Sequence, residues 1–127
     1  MTKKAKILMI EEERFLRKVY RNRLTKAGFD FVGATNGIEG LNKVVFEGPD
    51  LIILDLVLPQ KNGFEVLREL KRNKNTRQIP VMILTNLGEK KEIEKAFGLG
   101  AKDFLIKTEV SLDEVLKKIE KYALSHL

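Results

Sequence analysis

The chain has 127 residues and a mass of 14.6 kDa, the size of one ordinary domain with a real hydrophobic core. It has no cysteine, which excludes disulfides, thiolate metal sites and cysteine nucleophiles, and its one histidine, His126, stands at the C-terminus, where a catalytic triad or histidine metal site is not expected. The net charge of +6 comes entirely from residues 1–27, with nine basic and three acidic side chains, and no aromatic interleaving or nucleic-acid motif accompanies it, so the expectation is a solvated basic helix face and no nucleic-acid partner.

Short apolar runs alternate with amphipathic stretches. Ile7-Leu8-Met9-Ile10 reads as a buried strand. Residues 12–27 follow as a helix with an apolar stripe of Phe15, Leu16, Val19, Tyr20, Leu24 and Ala27, and with Arg14, Arg17, Lys18 and Arg21 on the opposite face. Gly28 ends it. Phe29 to Ala34 reads as a weaker strand, Thr35-Asn36-Gly37 as a turn and helix start, and residues 38–47 as a helix closed by Gly48-Pro49. Leu51-Ile52-Ile53-Leu54 is a third strand running straight into Asp55. A helix near 64–73 turns Val66, Leu67 and Leu70 inward. Pro80 opens the strand Val81-Met82-Ile83-Leu84, and residues 89–98 form a helix carrying Ile93, Ala96 and Phe97. Phe104-Leu105-Ile106 is the fifth strand. Ser111 with Glu114 forms a capping box before a last helix carrying Leu112, Val115, Leu116, Ile119 and Ala123.

No apolar run approaches the roughly 20 residues of a membrane span, and the four apolar residues before Glu11 are too few for a signal-peptide core. A cytoplasmic, single-domain protein over residues 1–127 is expected. Five β–α units with near-continuous apolar strands imply a parallel sheet covered on both faces, a doubly wound three-layer α/β sandwich. Ligands in such sheets bind outside the carboxyl ends of the strands.

Those ends carry Glu11, Glu12 and Glu13 after the first strand, Asp55 after the third, Thr85 and Asn86 after the fourth, and Lys107 after the fifth. No glycine-rich phosphate loop follows the first strand, which argues against nucleotide binding. Clustered carboxylates stay ionised together only with a hard cation or a lysine beside them. Mg²⁺ takes oxygen ligands and bridges carboxylates to phosphate. An aspartate in such a pocket is chemically able to attack a phosphoryl group and form an aspartyl phosphate.

With Asp55 ending a strand, Leu58-Pro59 and Asn62-Gly63 after it, Thr85 30 residues on, then Phe104, and Lys107 52 residues on, the chain resembles the receiver domains of response regulators in two-component signalling, and the stand-alone, chemotaxis-regulator-like kind is expected. The resemblance runs from about Lys6 to Ala123. It implies a flavodoxin-like (βα)5 fold with strand order 2-1-3-4-5. It also implies that Asp55 accepts a phosphoryl group from a histidine kinase or a phosphotransfer protein. Glu12, Asp55 and the backbone carbonyl of Val57 would hold Mg²⁺ or Mn²⁺, with Glu11 reaching the ion through water. Lys107 would pair with a phosphoryl oxygen and the Thr85 hydroxyl with another. Phe104 would rotate into the space Thr85 vacates and reshape a surface that contacts a downstream protein. The chain would act as a monomer or weak homodimer and not as an enzyme.

Three departures from the family pattern stand out. The acidic pair is Glu11-Glu12, a longer pair than usual. Thr108 replaces the customary proline after Lys107, so a trans Lys107–Thr108 bond is expected. Asn86 replaces a small residue at the pocket entrance. Val57 and Leu87, two residues beyond Asp55 and Thr85, are apolar and unable to orient an attacking water, which implies slow loss of a phosphoryl group. Two other functions are weighed beside the leading one: a phosphorylation-independent pseudo-receiver serving as an interaction module, and a small Mg²⁺-dependent phosphohydrolase. The latter needs a positioned acid or base that the pocket does not supply.

Overall fold

The computed structural model describes residues 4–126, the side chains of 125 and 126 excepted, so the His126 side chain and residues 1–3 of the basic tail lie outside the described residues. Ten elements alternate: β1 (Lys6–Ile10), α1 (Arg14–Lys26), β2 (Asp30–Ala34), α2 (Gly37–Glu47), β3 (Leu51–Leu54), α3 (Gly63–Arg72), β4 (Val81–Thr85), α4 (Lys90–Gly98), β5 (Asp103–Ile106) and α5 (Leu112–His126). All four strand pairings are parallel, in the order β2-β1-β3-β4-β5. This is the expected flavodoxin-like α/β sandwich.

Alternation along the strands divides the core into two layers. Leu8, Ile10, Ile52, Leu54, Val81 and Ile83 face α2, α3 and α4 and pack with Val44, Val66, Leu67, Leu70 and Ala96. Ile7, Met9, Leu51, Ile53, Met82 and Leu84 face α1 and α5 and pack with Tyr20, Leu24, Val115 and Ile119. Strands buried on both faces must be apolar at every position, which is why they read as unbroken runs.

Side-chain caps mark the starts of α2, α3 and α5. Asn36 Oδ1 accepts the Glu39 N–H at 2.8 Å, and Asn62 Oδ1 accepts the Glu65 N–H at 3.0 Å. At α5 the Glu114 N–H donates to Ser111 Oγ and the Ser111 N–H donates to Glu114 Oε1, both at 3.1 Å, the reciprocal box read in the sequence. No helix among the described residues is long and apolar enough to cross a membrane.

Three apolar assignments need correction. Phe15 is 71 % exposed and Phe97 46 % exposed. Successive helix positions turn by about 100°. Tyr20 and Leu24 centre the buried face of α1, and Phe15, one step before the half-buried Leu16, rotates out of it. In α4 only Ala96 is buried, and Phe97 is one step past it. Ala27, also assigned to the stripe, is exposed at the end of α1.

Candidate functional site

The strand register brings the candidate residues together. Ile10 pairs with Leu54, so the next residues, Glu11 and Asp55, stand side by side at the carboxyl edge of the sheet. The Asp55 N–H donates to the Ile10 carbonyl at 3.1 Å, and the Glu11 N–H to the Ala34 carbonyl at 2.9 Å. Lys107 follows Ile106, and its N–H donates to the Thr85 carbonyl at 2.8 Å. From the far side of β4 its long stem reaches back across the sheet edge.

Lys107 Nζ lies 2.8 Å from Asp55 Oδ2 and 2.6 Å from Glu11 Oε1. Both carboxylates are nearly closed to solvent, Asp55 at 6 % and Glu11 at 3 % exposure. Asp55 Oδ1 accepts the Val57 N–H at 3.1 Å, and Glu11 Oε2 accepts the Glu13 N–H at 2.9 Å. Although Glu11 Oε1 is ion-paired, no donor addresses it along a hydrogen-bonding direction, so a buried carboxylate lone pair stays unfilled. One ammonium therefore serves two carboxylates, and the cluster carries one negative charge too many.

Burial pushes the Glu11 carboxyl above its ordinary value; the Lys107 ammonium against Oε1 and the hydrogen bond from the Glu13 N–H offset this only in part, and the neighbouring Asp55 charge adds to it. Burial works against the Lys107 ammonium, but its hydrogen bond to Asp55 and its ion pair with Glu11 prevail and hold it above its ordinary value. Tyr20, buried beneath α1, is pushed up to about 12 by burial and then by the Glu11 charge.

A cleft lined by Glu11, Glu12, Glu13, Asp55, Val57 and Asn86 opens over this cluster. Glu12 is exposed at its rim, because the chain leaving β1 turns Glu11 inward and Glu12 outward. Among the described residues no three acidic or histidine side chains converge on one point as a ready-made metal cage. The donor set nevertheless suits Mg²⁺: hard oxygens from two buried carboxylates, an unfilled lone pair on one of them, and an open cleft for the waters this ion keeps. Glu13 is the N-cap residue of α1 and makes no side-chain cap.

Thr85 is fully buried, and its hydroxyl oxygen lies 3.4 Å from the Leu87 N–H. Phe104 is half-buried and packs on the same core layer as Ile83, its register partner. Thr85 is two residues past Ile83 and so points to that face as well. The two candidate switch residues are thus diagonal neighbours on adjacent strands. The Lys107–Thr108 bond is trans, as is every peptide bond of the described residues.

Sequence reasoning missed Arg17. Read as part of a solvated face, it is half-buried and donates from Nη1 to the carbonyls of Glu11 at 2.6 Å and Glu12 at 2.7 Å. Nothing in the charge pattern distinguishes it from Arg14, Lys18 and Arg21, which are exposed.

The arrangement has counterparts among known proteins. The family model for the response regulator receiver domain matches residues 7–120. The DNA-binding dual master transcriptional regulator RpaA of Synechocystis sp. is 37 % identical over 114 residues, covering 90 % of this chain and 47 % of that protein. The alkaline phosphatase synthesis transcriptional regulatory protein PhoP of Bacillus subtilis is 36 % identical over 104 residues, covering 80 % of this chain and 42 % of that protein. The chain thus spans about half the length of the relatives it matches. Among solved structures, the phosphorylated cyanobacterial phytochrome response regulator RcpA superposes with a TM-score of 0.86 at 28 % identity, covering 98 % of this chain and 97 % of that one. An aspartate and a lysine paired at the carboxyl edge of a 2-1-3-4-5 sheet, in a chain matched by the family over nearly its whole length, lead to one conclusion: this chain belongs to the response regulator receiver domains, the phosphoacceptor signalling modules of two-component systems.

Proposed function

We propose that Asp55 is the phosphoacceptor, with a histidine kinase or a phosphotransfer protein as donor, and that the domain answers to a downstream protein in the cytoplasm as one receiver unit over residues 1–127. The observation that carries this reading is the 2.8 Å pair of Lys107 Nζ and Asp55 Oδ2 at the floor of an open cleft. A carboxylate oxygen of Asp55 attacks phosphorus, the donor's leaving group departs with the electron pair of the broken bond, and an acyl phosphate results. Lys107 would pair with a phosphoryl oxygen; its ammonium beside Asp55 and Glu11 supports this role. Glu11, Asp55 and the Val57 carbonyl, with Glu12 from the rim, would hold Mg²⁺ or Mn²⁺. The ion would supply positive charge to offset the charge that develops on the phosphoryl oxygens. The Thr85 hydroxyl is buried close by, and its turn toward a phosphoryl oxygen would open the space into which Phe104 moves.

Intact-protein mass spectrometry after incubation with acetyl phosphate tests this reading. One phosphoryl adduct is expected with Mg²⁺, none after chelation, and none for Asp55→Asn. A full adduct on Asp55→Asn would sink the assignment. The exposed position of Glu12 favours a second reading, a pseudo-receiver that works without phosphorylation. It predicts no adduct from a folded chain under any of these conditions.

The lifetime of the adduct is a separate prediction. Val57 is 56 % exposed at the mouth of the cleft, and Leu87 packs its side chain on the core. Neither offers a polar group to orient water, so after removal of excess donor the adduct is expected to decay over many minutes to hours. Substituting Asn for Val57 should shorten its life several-fold. Loss of the wild-type adduct within seconds would overturn this.

A further inference from the structure

We propose that Arg17 is a positioning residue for the divalent-cation site: its guanidinium clamps the carbonyls of Glu11 and Glu12 and so sets how the two acidic side chains leave the β1–α1 loop. This rests on the reading of Glu11, Glu12 and Asp55 as cation ligands. Three residues, Glu11 to Glu13, connect β1 to α1. The Glu11 N–H is tied to Ala34, and the Glu13 N–H folds back on Glu11 Oε2. A single nitrogen, Arg17 Nη1, donates to both carbonyls between them, at 2.6 and 2.7 Å. Fixing two successive peptide planes fixes the direction of both Cα–Cβ bonds, Glu11 into the cluster and Glu12 to the rim.

The path of the side chain is equally specific. Its stem crosses β2 at Gly33, where an added Cβ would come within 3.3 Å of Arg17 Cδ. A side chain at position 33 would press on the stem, so glycine here leaves the arginine its route from α1 to the loop.

The charge of Arg17 and its geometry predict opposite results, which makes the proposal testable. A guanidinium beside a cation site repels the cation, so loss of charge alone would tighten Mg²⁺ binding. Loss of positioning would weaken it, and residues that orient metal ligands typically change affinity by about tenfold or more. The full chain, its Arg17→Met, Arg17→Lys and Gly33→Val variants are titrated with MgCl₂ by calorimetry or by amide chemical shifts of Glu12 and Val57, with thermal melts beside them. We expect Mg²⁺ to bind Arg17→Met about tenfold more weakly than wild type. Arg17→Lys keeps the charge, but its ammonium stands one bond short of the Nη1 position, so it should recover only part of the loss. Gly33→Val keeps the whole guanidinium and displaces its stem, so it should weaken binding as Arg17→Met does, and it carries the test if Arg17→Met does not fold. Binding by Arg17→Met and Gly33→Val equal to or tighter than wild type, with folded proteins, would overturn the proposal and leave the site reading standing. No saturable Mg²⁺ binding by the wild-type chain would overturn both.

Discussion

Replacing Lys107 by methionine is expected to destabilise the fold by about 3–5 kcal/mol at pH 7, the usual result of removing one partner from a buried charge cluster. Methionine fills the volume of the lysine stem, so the loss isolates the charge. Without the ammonium, Glu11 and Asp55 face each other with one hydrogen bond each, to the Glu13 and Val57 N–H groups. One of them must take up a proton, and Glu11, the more deeply buried, is the one already pushed upward by burial. Lys107 is what offsets that push in the wild type, so its removal lifts Glu11 further. A carboxyl held above its ordinary value of 4.5 contributes full stability below that pH and loses it as the pH rises through the lifted value. Across that window the variant should therefore gain about 1.4 kcal/mol for each pH unit of acidification, as one proton more is bound in the folded state. Urea unfolding at pH 7 and pH 5 checks this. A loss below about 1 kcal/mol at pH 7, the range of an exposed pair, would mean that water reaches the cluster freely and that Lys107 does not hold it.

The same cluster shows which parts of the site can be read from sequence. Asp55 and Lys107 each follow directly on an apolar strand, and a parallel sheet leaves the residue after each strand at one edge, so their meeting is legible before any coordinate is known. The roles of Glu11 and Glu12 are not. Which of two adjacent acids turns inward depends on the twist of three connecting residues and on Arg17, a contact between a helix and a loop that no periodicity encodes. The strands are legible because burial on both faces demands apolar residues throughout, and the helices because their stripes repeat. A stripe does not report its own width, and Phe15 and Phe97 fall just beyond the edges of theirs. Aromatic residues at those edges look buried in a sequence and face solvent in the fold.

Gly63→Ala should be the most disruptive single-methyl addition near the site. Gly63 opens α3 directly after Asn62, and an added Cβ would sit 2.3 Å from the Asp55 carbonyl oxygen and 2.5 Å from Leu56 Cα. Both obstacles are backbone, so no rotamer change can relieve the overlap. Either α3 retreats from β3 or the segment from Asp55 to Leu56 moves, and the Gly63 N–H donates to the Leu56 carbonyl at 3.0 Å, so the two are coupled. Overpacking of this kind costs about 1–3 kcal/mol, and more where only backbone can yield. The expected loss is about 3 kcal/mol by urea unfolding, near the top of that range. The displaced segment carries Asp55, the proposed phosphoacceptor, and the Val57 carbonyl, so phosphorylation by acetyl phosphate should slow by at least about tenfold even where the variant remains folded, since misplacement of reacting groups by about 1 Å can cost 10²-fold. Gly98→Ala is the matched control. Nothing lies within 4 Å of a Cβ at Gly98, in the last turn of α4, and alanine there should be neutral or stabilising by up to about 1 kcal/mol through its helix propensity. Equal stability and equal phosphorylation rates for the two alanine variants would show that the contact between Gly63 and the Asp55 backbone does not constrain the site. The asparagine–glycine pair, legible in the sequence only as part of a family pattern, thus has a local cause: the asparagine caps α3, and the glycine lets that capped end press against the backbone of Asp55 and Leu56.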